Sequence, residues 1–443
     1  MARQMKDSGI EWIGEIPENW ELQKGKYLYR QRSEKGNSIE LQLLSPTQKY
    51  GVIPQSLYEK ISGMKPVQLD AKADLEQFKS IYAGDFCISL RSFQGGFEYS
   101  QYNGVVSPAY QVFYPQSDTT YDAFYRYIFK EMGFIGYMNS FTKSFRDGKS
   151  IAFDDFAGTL LPVPPIAEQQ RIAAFLDRKC AEIDAVIERT KATIEEYKKL
   201  KQAVITEAVT KGVRGPRPMK DSGIEWIGEI PEEWEVVQIK HLKAKEPNSF
   251  VDGPFGSNLK SIHYVDDGDV YVVESGFITT GKFVFKKFKT ITAEHFETIK
   301  RSECKGKDII IAKIGANFGM AAELPELDKP SVVSGNSLKI TLNQALILNS
   351  IFVYELGTAK SQGGYVGLYN ETAQPALSLS SLNSFKLVVA PMVEQQEIAN
   401  YLDEKCAALD TLIAKKTALL TELETYKKSL IYEYVTGKKE VTE

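Results

Sequence analysis

The sequence predicts a mixed α/β chain built twice from one plan: two globular bodies alternating with two long helices that pair as a coiled coil within the chain. Three observations predict it. Residues 5–20, MKDSGIEWIGEIPENW, return as 219–234, MKDSGIEWIGEIPEEW, with fifteen of sixteen positions alike. Residues 165–180, PIAEQQRIAAFLDRKC, return as 391–406, PMVEQQEIANYLDEKC. Beyond each of these, seam residues recur at alternating spacings of four and three, the a and d positions of a heptad helix. Self-similarity on this scale organises a chain before any local pattern does.

The first body spans 1–163 and opens on the Trp-rich segment. Within it FKSIYAGDFCISLRSFQGGFEYS, 78–100, alternates as strands do around an Ala-Gly-Asp turn. Arg91-Ser92-Phe93-Gln94-Gly95-Gly96 then reads as an exposed loop whose glycines permit close approach of a ligand. TTYDAFYRYIFKEM predicts a short helix. NSFTKSFRDGKS, 139–150, predicts a polar loop carrying Lys143, Arg146 and Lys149.

The first long helix spans 164–211. Its seam runs Leu176, Cys180, Ile183, Ile187, Thr190, Ile194, Tyr197, Lys201, Val204, Ala208. From Glu168 to Lys211 it measures roughly 65 Å; such a helix needs a partner stripe, and its own copy is the nearest. Lys201 sits inside the seam, as Lys427 does in the copy, either fixing register or laying an aliphatic stem along it. Cys180 and Cys406 hold equivalent seam positions and read as small buried apolar residues. A Gly- and Pro-containing linker, 212–218, ends the helix.

The second body, 219–389, repeats the opening segment and then diverges. FVDGPFGSNLKSIHYVDDGDVYVV has tight turns around Gly253, Pro254 and Gly256, placing Ser257, Asn258 and Lys260 in a loop. TTGKFVFKKFKTI interleaves Lys282, Lys286, Lys287 and Lys289 with Phe283, Phe285 and Phe288. Between 279 and 313 nine Lys/Arg stand against four Asp/Glu. Basic residues between aromatics suit a phosphate-contacting surface; a strand edge guarded by lysines gives the same pattern. GKDIIIAKIGANFGMAAEL reads as a buried strand and a loop bearing Asn317. The second long helix spans 390–437, and 438–443 is a tail.

Composition excludes several classes. Of 443 residues 43% are apolar and 25% charged, a soluble globular balance. No run approaches the ~20 apolar residues of a membrane span, and the first residues, MARQMKDSGIEW, predict no secretory signal. Four cysteines without ligand spacing predict neither disulfide framework nor metal site, and point to the cytoplasm. The net charge of -4 argues against binding nucleic acid by bulk charge, though not against a local basic face. Chemistry is missing as well. Gly148-Lys149-Ser150 ends like a P-loop, but Lys143 stands where its first glycine belongs. Three histidines, His241, His263 and His295, lie beside no acid that a motif would place there. Val163-Pro164-Pro165-Ile166 lacks the polar residue that would hold an amine. No catalytic residue and no cofactor site is expected.

The motifs resemble those of the DNA-specificity subunits of type I restriction–modification systems. Trp12-Ile13-Gly14, Ile16-Pro17 and Trp20 carry the resemblance, with their copies Trp226-Ile227-Gly228, Ile230-Pro231 and Trp234. So do Pro164-Pro165 with Glu168-Gln169-Gln170, and Pro391 with Glu394-Gln395-Gln396. The Leu-Arg-Ser-Phe-Gln-Gly-Gly run at 90–96 and Asp252-Gly253-Pro254-Phe255-Gly256-Ser257 are similar to segments of that family's target-recognition domains. The resemblance implies that each body enters the major groove of one half of a bipartite asymmetric site on double-stranded DNA. It implies that the two helices pack antiparallel, relating the bodies by a pseudo-two-fold axis. It implies two methyltransferase subunits using S-adenosylmethionine for adenine-N6 methylation, and motor–nuclease subunits using ATP and Mg, with this chain non-catalytic. Base and phosphate contacts are then expected from Arg91, Ser92, Gln94, Lys143, Arg146 and Lys149 in the first body. In the second they are expected from Ser257, Asn258, Lys260, Lys286, Lys287, Lys289 and Asn317. The rival reading is a non-catalytic coiled-coil adaptor whose bodies recruit proteins.

Overall fold

The computed structural model describes residues 3–36, 42–64, 77–88, 96–141, 151–279, 281–315, 317–368 and 376–442. It divides into two compact units, Met1–Lys191 with Ala418–Glu443, and Ala192–Thr417. The long helices run Ile166–Lys211 and Met392–Val435, so each unit holds a body and a stretch of both helices.

In the first unit the body centres on a four-stranded antiparallel sheet ordered Tyr29–Arg32, Gln111–Pro115, Phe86–Ile88, Phe97–Tyr99. Its core is unusually aromatic. Tyr29 meets Phe86, Phe113, Tyr125, Phe129 and Phe156 at centroid distances of 5.4–5.8 Å, mostly edge to face, the arrangement ring quadrupoles prefer. In the second unit two four-stranded sheets share the body. One runs Phe250–Asp252, Ser337–Ile340, Ile309–Ala312, Ala321–Glu323. The other runs Lys289–Ile291, Val270–Val273, Ser331–Val333, Glu303–Cys304. Ile309, Ile310, Ile311 and Ala312 are all buried, as an apolar run covered on both faces must be.

Both bodies are mounted alike. Each is closed at its base by an antiparallel ribbon, Glu21–Lys24 with Leu160–Val163 and Glu235–Gln238 with Lys386–Val389. Just beyond the ribbon, the first turn of the helix presents the repeated Glu-Gln pair. The buried indole of Trp20 donates Nε1–H to Glu168 Oε2 at 3.0 Å, while Arg3 Nη2 donates to Oε1 at 2.6 Å. The copy repeats this: Trp234 Nε1 donates to Glu394 Oε2 at 3.1 Å, and Arg217 grips the same carboxylate, Nη1 to Oε2 at 2.9 Å. Burial opposes ionisation of Glu394, but the hydrogen bonds from Arg217 and Trp234 and the charges of Arg217 and Arg214 outweigh it and hold the carboxyl below its ordinary range. The next residue ties the body down. Gln169 accepts from Tyr121 N–H and donates to Thr119 O and Pro164 O. Gln395 accepts from Leu348 N–H and donates to Leu346 O and Ala390 O. These segments stay alike because they make one joint, in which a buried carboxylate and amide have every partner they need.

The same tryptophan also receives the far end of the other helix. Gly437 has φ +72°, and a Cβ there would lie 3.0 Å from Trp20; Gly212 has φ +77°, and a Cβ there would lie 3.3 Å from Trp234. Both are left-handed C-terminal glycines with no room for a side chain. Within each unit the two helix stretches run antiparallel. In the first, the Phe175 ring packs tilted against Tyr434 at 4.5 Å and Asp184 pairs with Lys427 at 2.6 Å. In the second, Lys201 pairs with Asp410 at 2.6 Å. The two seam lysines are therefore not just stems lying along apolar surface. Each meets an aspartate of the partner helix, and Asp184 and Asp410 are themselves repeat equivalents. Seam Thr190 returns its hydroxyl to Val186 O at 2.8 Å. All four cysteines are free and buried, and burial foremost pushes the Cys180 and Cys406 thiols up, as small apolar seam residues should behave.

Candidate nucleic-acid interface

The second body displays a loop, 253–265, between the strands of its two sheets. Gly253 opens it; a Cβ there would lie 1.9 Å from Ser334 O, so only glycine fits. Asn258 N–H closes a turn on Phe255 O at 2.7 Å, and Leu259 points inward against the core of the second sheet. Two histidines then pin the loop. His295, on the helix Ala293–Ile299, donates Nε2–H to Asn258 O at 3.0 Å; a carbonyl can only accept, so Nε2 carries the proton. Its ring lies 4.0 Å from that of His263, whose Nδ1 accepts the Lys260 N–H at 3.1 Å. Val265 pairs with Thr290 and ties the loop's end to the sheet. Ser257, Asn258 and Lys260 are left exposed on a braced backbone, with Ser257 Oγ bonded to Asn258 Oδ1 at 3.1 Å.

The basic run forms the neighbouring surface. Tyr271, Phe288, Phe277, Phe283 and Phe285 follow one another as ring contacts at 4.4, 4.7, 5.5 and 5.3 Å, so aromatic packing props the segment between 282 and 289. Lys286 and Lys287 are exposed. Lys289 is shared: its ammonium meets Glu274 at 2.8 Å and lies over the Tyr264 ring, and the Glu274 hydrogen bond raises its pKa. Lys282 reaches Asp410 at 3.2 Å, joining the Lys201 pair. Asn317 turns inward and donates Nδ2–H to Ile278 O at 2.9 Å, which bolsters the strand ahead of the basic run. The structure thus groups Ser257, Asn258 and Lys260 on one loop, and sets Lys289 beside that loop's end.

Arg91, Ser92, Gln94, Lys143, Arg146 and Lys149 lie outside the described residues. Among the described residues no three His, Cys, Asp or Glu side chains gather as a metal site, and no helix is long and apolar enough to cross a membrane. Sequence reading set Phe285 among the aromatics of the basic run and Phe255 in a family-like segment, but gave no role to the two histidine pins or to the exposure of the Phe255 ring. The histidines carried no motif. The exposure of Phe255 could have been found from a large apolar residue standing in a Gly-rich segment, where a core residue is out of place.

The family described as the type I restriction modification DNA specificity domain matches this chain twice, over residues 18–196 and 231–424. The chain belongs to that family. Its part in such a system is the specificity subunit, which recognises DNA rather than catalysing a reaction. Among relatives, the type I restriction enzyme MjaVIII specificity subunit of Methanocaldococcus jannaschii is 26% identical over 306 residues, 68% of this chain and 67% of that protein. The EcoBI specificity subunit of Escherichia coli is 23% identical over 313 residues, 69% of this chain and 64% of that protein. Among solved structures, a chain from work on complex assembly of a type I R-M system superposes with TM-score 0.73 at 14% identity. It covers 96% of this specificity subunit and 99% of that chain. The HsdS subunit from Thermoanaerobacter tengcongensis gives TM-score 0.52 at 14% identity, covering 96% and 98%. At such identities the likeness concerns the fold.

Proposed function

We propose that this specificity subunit reads a bipartite, asymmetric DNA site, one half with each body, and directs partner subunits to it. Two methyltransferase subunits would carry S-adenosylmethionine and methylate adenine N6; motor–nuclease subunits would use ATP and Mg to translocate and cleave. The chain itself supplies no cofactor site and works in the cytoplasm. The observation that carries this reading is the repeated Trp–Glu–Arg joint holding two unlike bodies: identical mounts with different readers suit a site whose halves differ. The net charge of -4 fits a subunit that borrows positive surface from partners while keeping local cations such as Lys260, Lys286 and Lys287. In the second body, Ser257, Asn258 and Lys260 are the base-edge candidates and Lys286 and Lys287 the phosphate candidates. Footprinting the chain with its methyltransferase partner on random-sequence DNA tests the proposal. One split sequence should be protected. Equal affinity for all duplexes would defeat it, and adenine methylation by the chain alone would defeat the non-catalytic role.

A further inference from the structure

We infer that Phe255 and Ile262 read the 5-methyl group of thymine in the half-site of the second body. This rests on the reading that the loop 253–265 faces base edges. Phe255 is 70% exposed and Ile262 80% exposed, although water penalises such display and Leu259, between them, finds the core. The exposure is enforced. The Phe255–Asn258 turn, the His295 bond to Asn258 O, the Lys260–His263 bond and the Val265–Thr290 pairing leave the loop no slack to fold either side chain inward. Ser257, Asn258 and Lys260 stand between the two, so hydrogen-bonding and apolar groups are offered together.

The major groove presents that combination. Its base edges carry donors and acceptors, and its only apolar feature is the thymine methyl, which side chains such as Phe contact. Nearby Lys286 and Lys287 favour a polyanion over an apolar protein partner. A wedge driven between base steps is the other use of an exposed ring on DNA, but it would be indifferent to a methyl group.

The test uses the full chain with its methyltransferase partner and the duplex selected from random DNA. Each thymine of the second half-site is replaced in turn by deoxyuracil, which keeps every hydrogen-bonding group and removes only the methyl. At one or two positions binding should weaken about fourfold, the worth of one buried methyl. Phe255→Ala or Ile262→Ala should bind the thymine and deoxyuracil duplexes equally at its own position. Both residues are exposed, so neither change threatens folding; circular dichroism checks this. Failure to select any preferred duplex would remove the parent reading and this inference with it. A preferred duplex whose second half-site holds no thymine, or is indifferent to deoxyuracil throughout, would overturn this inference alone. So would a thymine preference that survives both substitutions.

Discussion

Lys287 and Glu98 show how one side chain's surroundings set its use. Lys287 is exposed beside the aromatic run, while Lys289, two residues on, shares its charge with Glu274. Replacing Lys287 with Ala should weaken binding to all sequences and lower the salt slope by about 0.9, the share of one phosphate. A loss confined to one base position, measured by titration across ionic strengths, would make it a base reader instead. Glu98 lies in the first body, 1% exposed, with Lys130 Nζ at 2.6 Å. Burial raises its pKa to about 7, and the Lys130 charge and hydrogen bond only partly offset this. A carboxyl whose folded pKa is raised contributes stability that is whole below its unfolded value, near 4.3, and is lost as pH rises through 7. The first unit should therefore lose up to about 3 kcal/mol between pH 4 and pH 8. Hydrogen exchange of Phe97–Tyr99 reads this locally. Glu98→Gln should flatten the profile, and an unchanged slope in that variant would assign the effect elsewhere.

The long helices are held by features that heptad arithmetic describes only in part. Spacing of four and three names the seam, but its two interior lysines are satisfied across the pair, Lys201 by Asp410 and Lys427 by Asp184, while Thr190 bonds within its own helix. These carboxylates are partly exposed, so each pair contributes modestly and chiefly opposes slipped registers. Lys427→Asp or Asp184→Lys alone should lower the melting temperature. The double exchange should recover most of it, with a coupling of about 0.5–1 kcal/mol. Melting followed by circular dichroism checks this; a double variant as weak as the sum of the singles would deny the pair a role. Asp410 also receives Lys282, and these lysines hold its carboxyl below the ordinary range against the pull of burial. Asp410→Asn should therefore cost more than Asp184→Asn.

At the scale of the molecule, each body leaves and re-enters its mount through one antiparallel ribbon, and the Trp–Glu–Arg joint lies outside the part that varies. A body is thus exchangeable at its ribbon. Replacing residues 25–159 with residues 239–385 should give a folded chain carrying the second reader twice. The duplexes it selects should then carry the second half-site sequence in both halves. Survival of the original first half-site in that selection would place its recognition outside the first body.

The repeat, the two long helices and their seam were legible in the sequence because each is written locally or as self-similarity: a heptad needs only neighbours at three and four, and a duplication only its copy. The loop between Gly253 and Val265 was legible for a related reason, since Gly and Pro announce turns by their own backbone limits. What fastens these parts was not. Trp20 meets Glu168 across 148 residues, Arg3 across 165, and Lys201 meets Asp410 across 209. No period or propensity marks such partners. Asn317 illustrates the converse: a residue type suited to reading adenine, it is spent on Ile278 O. Whether a lysine meets phosphate or glutamate, and whether a phenylalanine joins a core or is pinned into solvent, depends on which distant backbone lies beside it. Pattern chose the elements of this specificity subunit; the packing of remote segments decided what their side chains are free to touch.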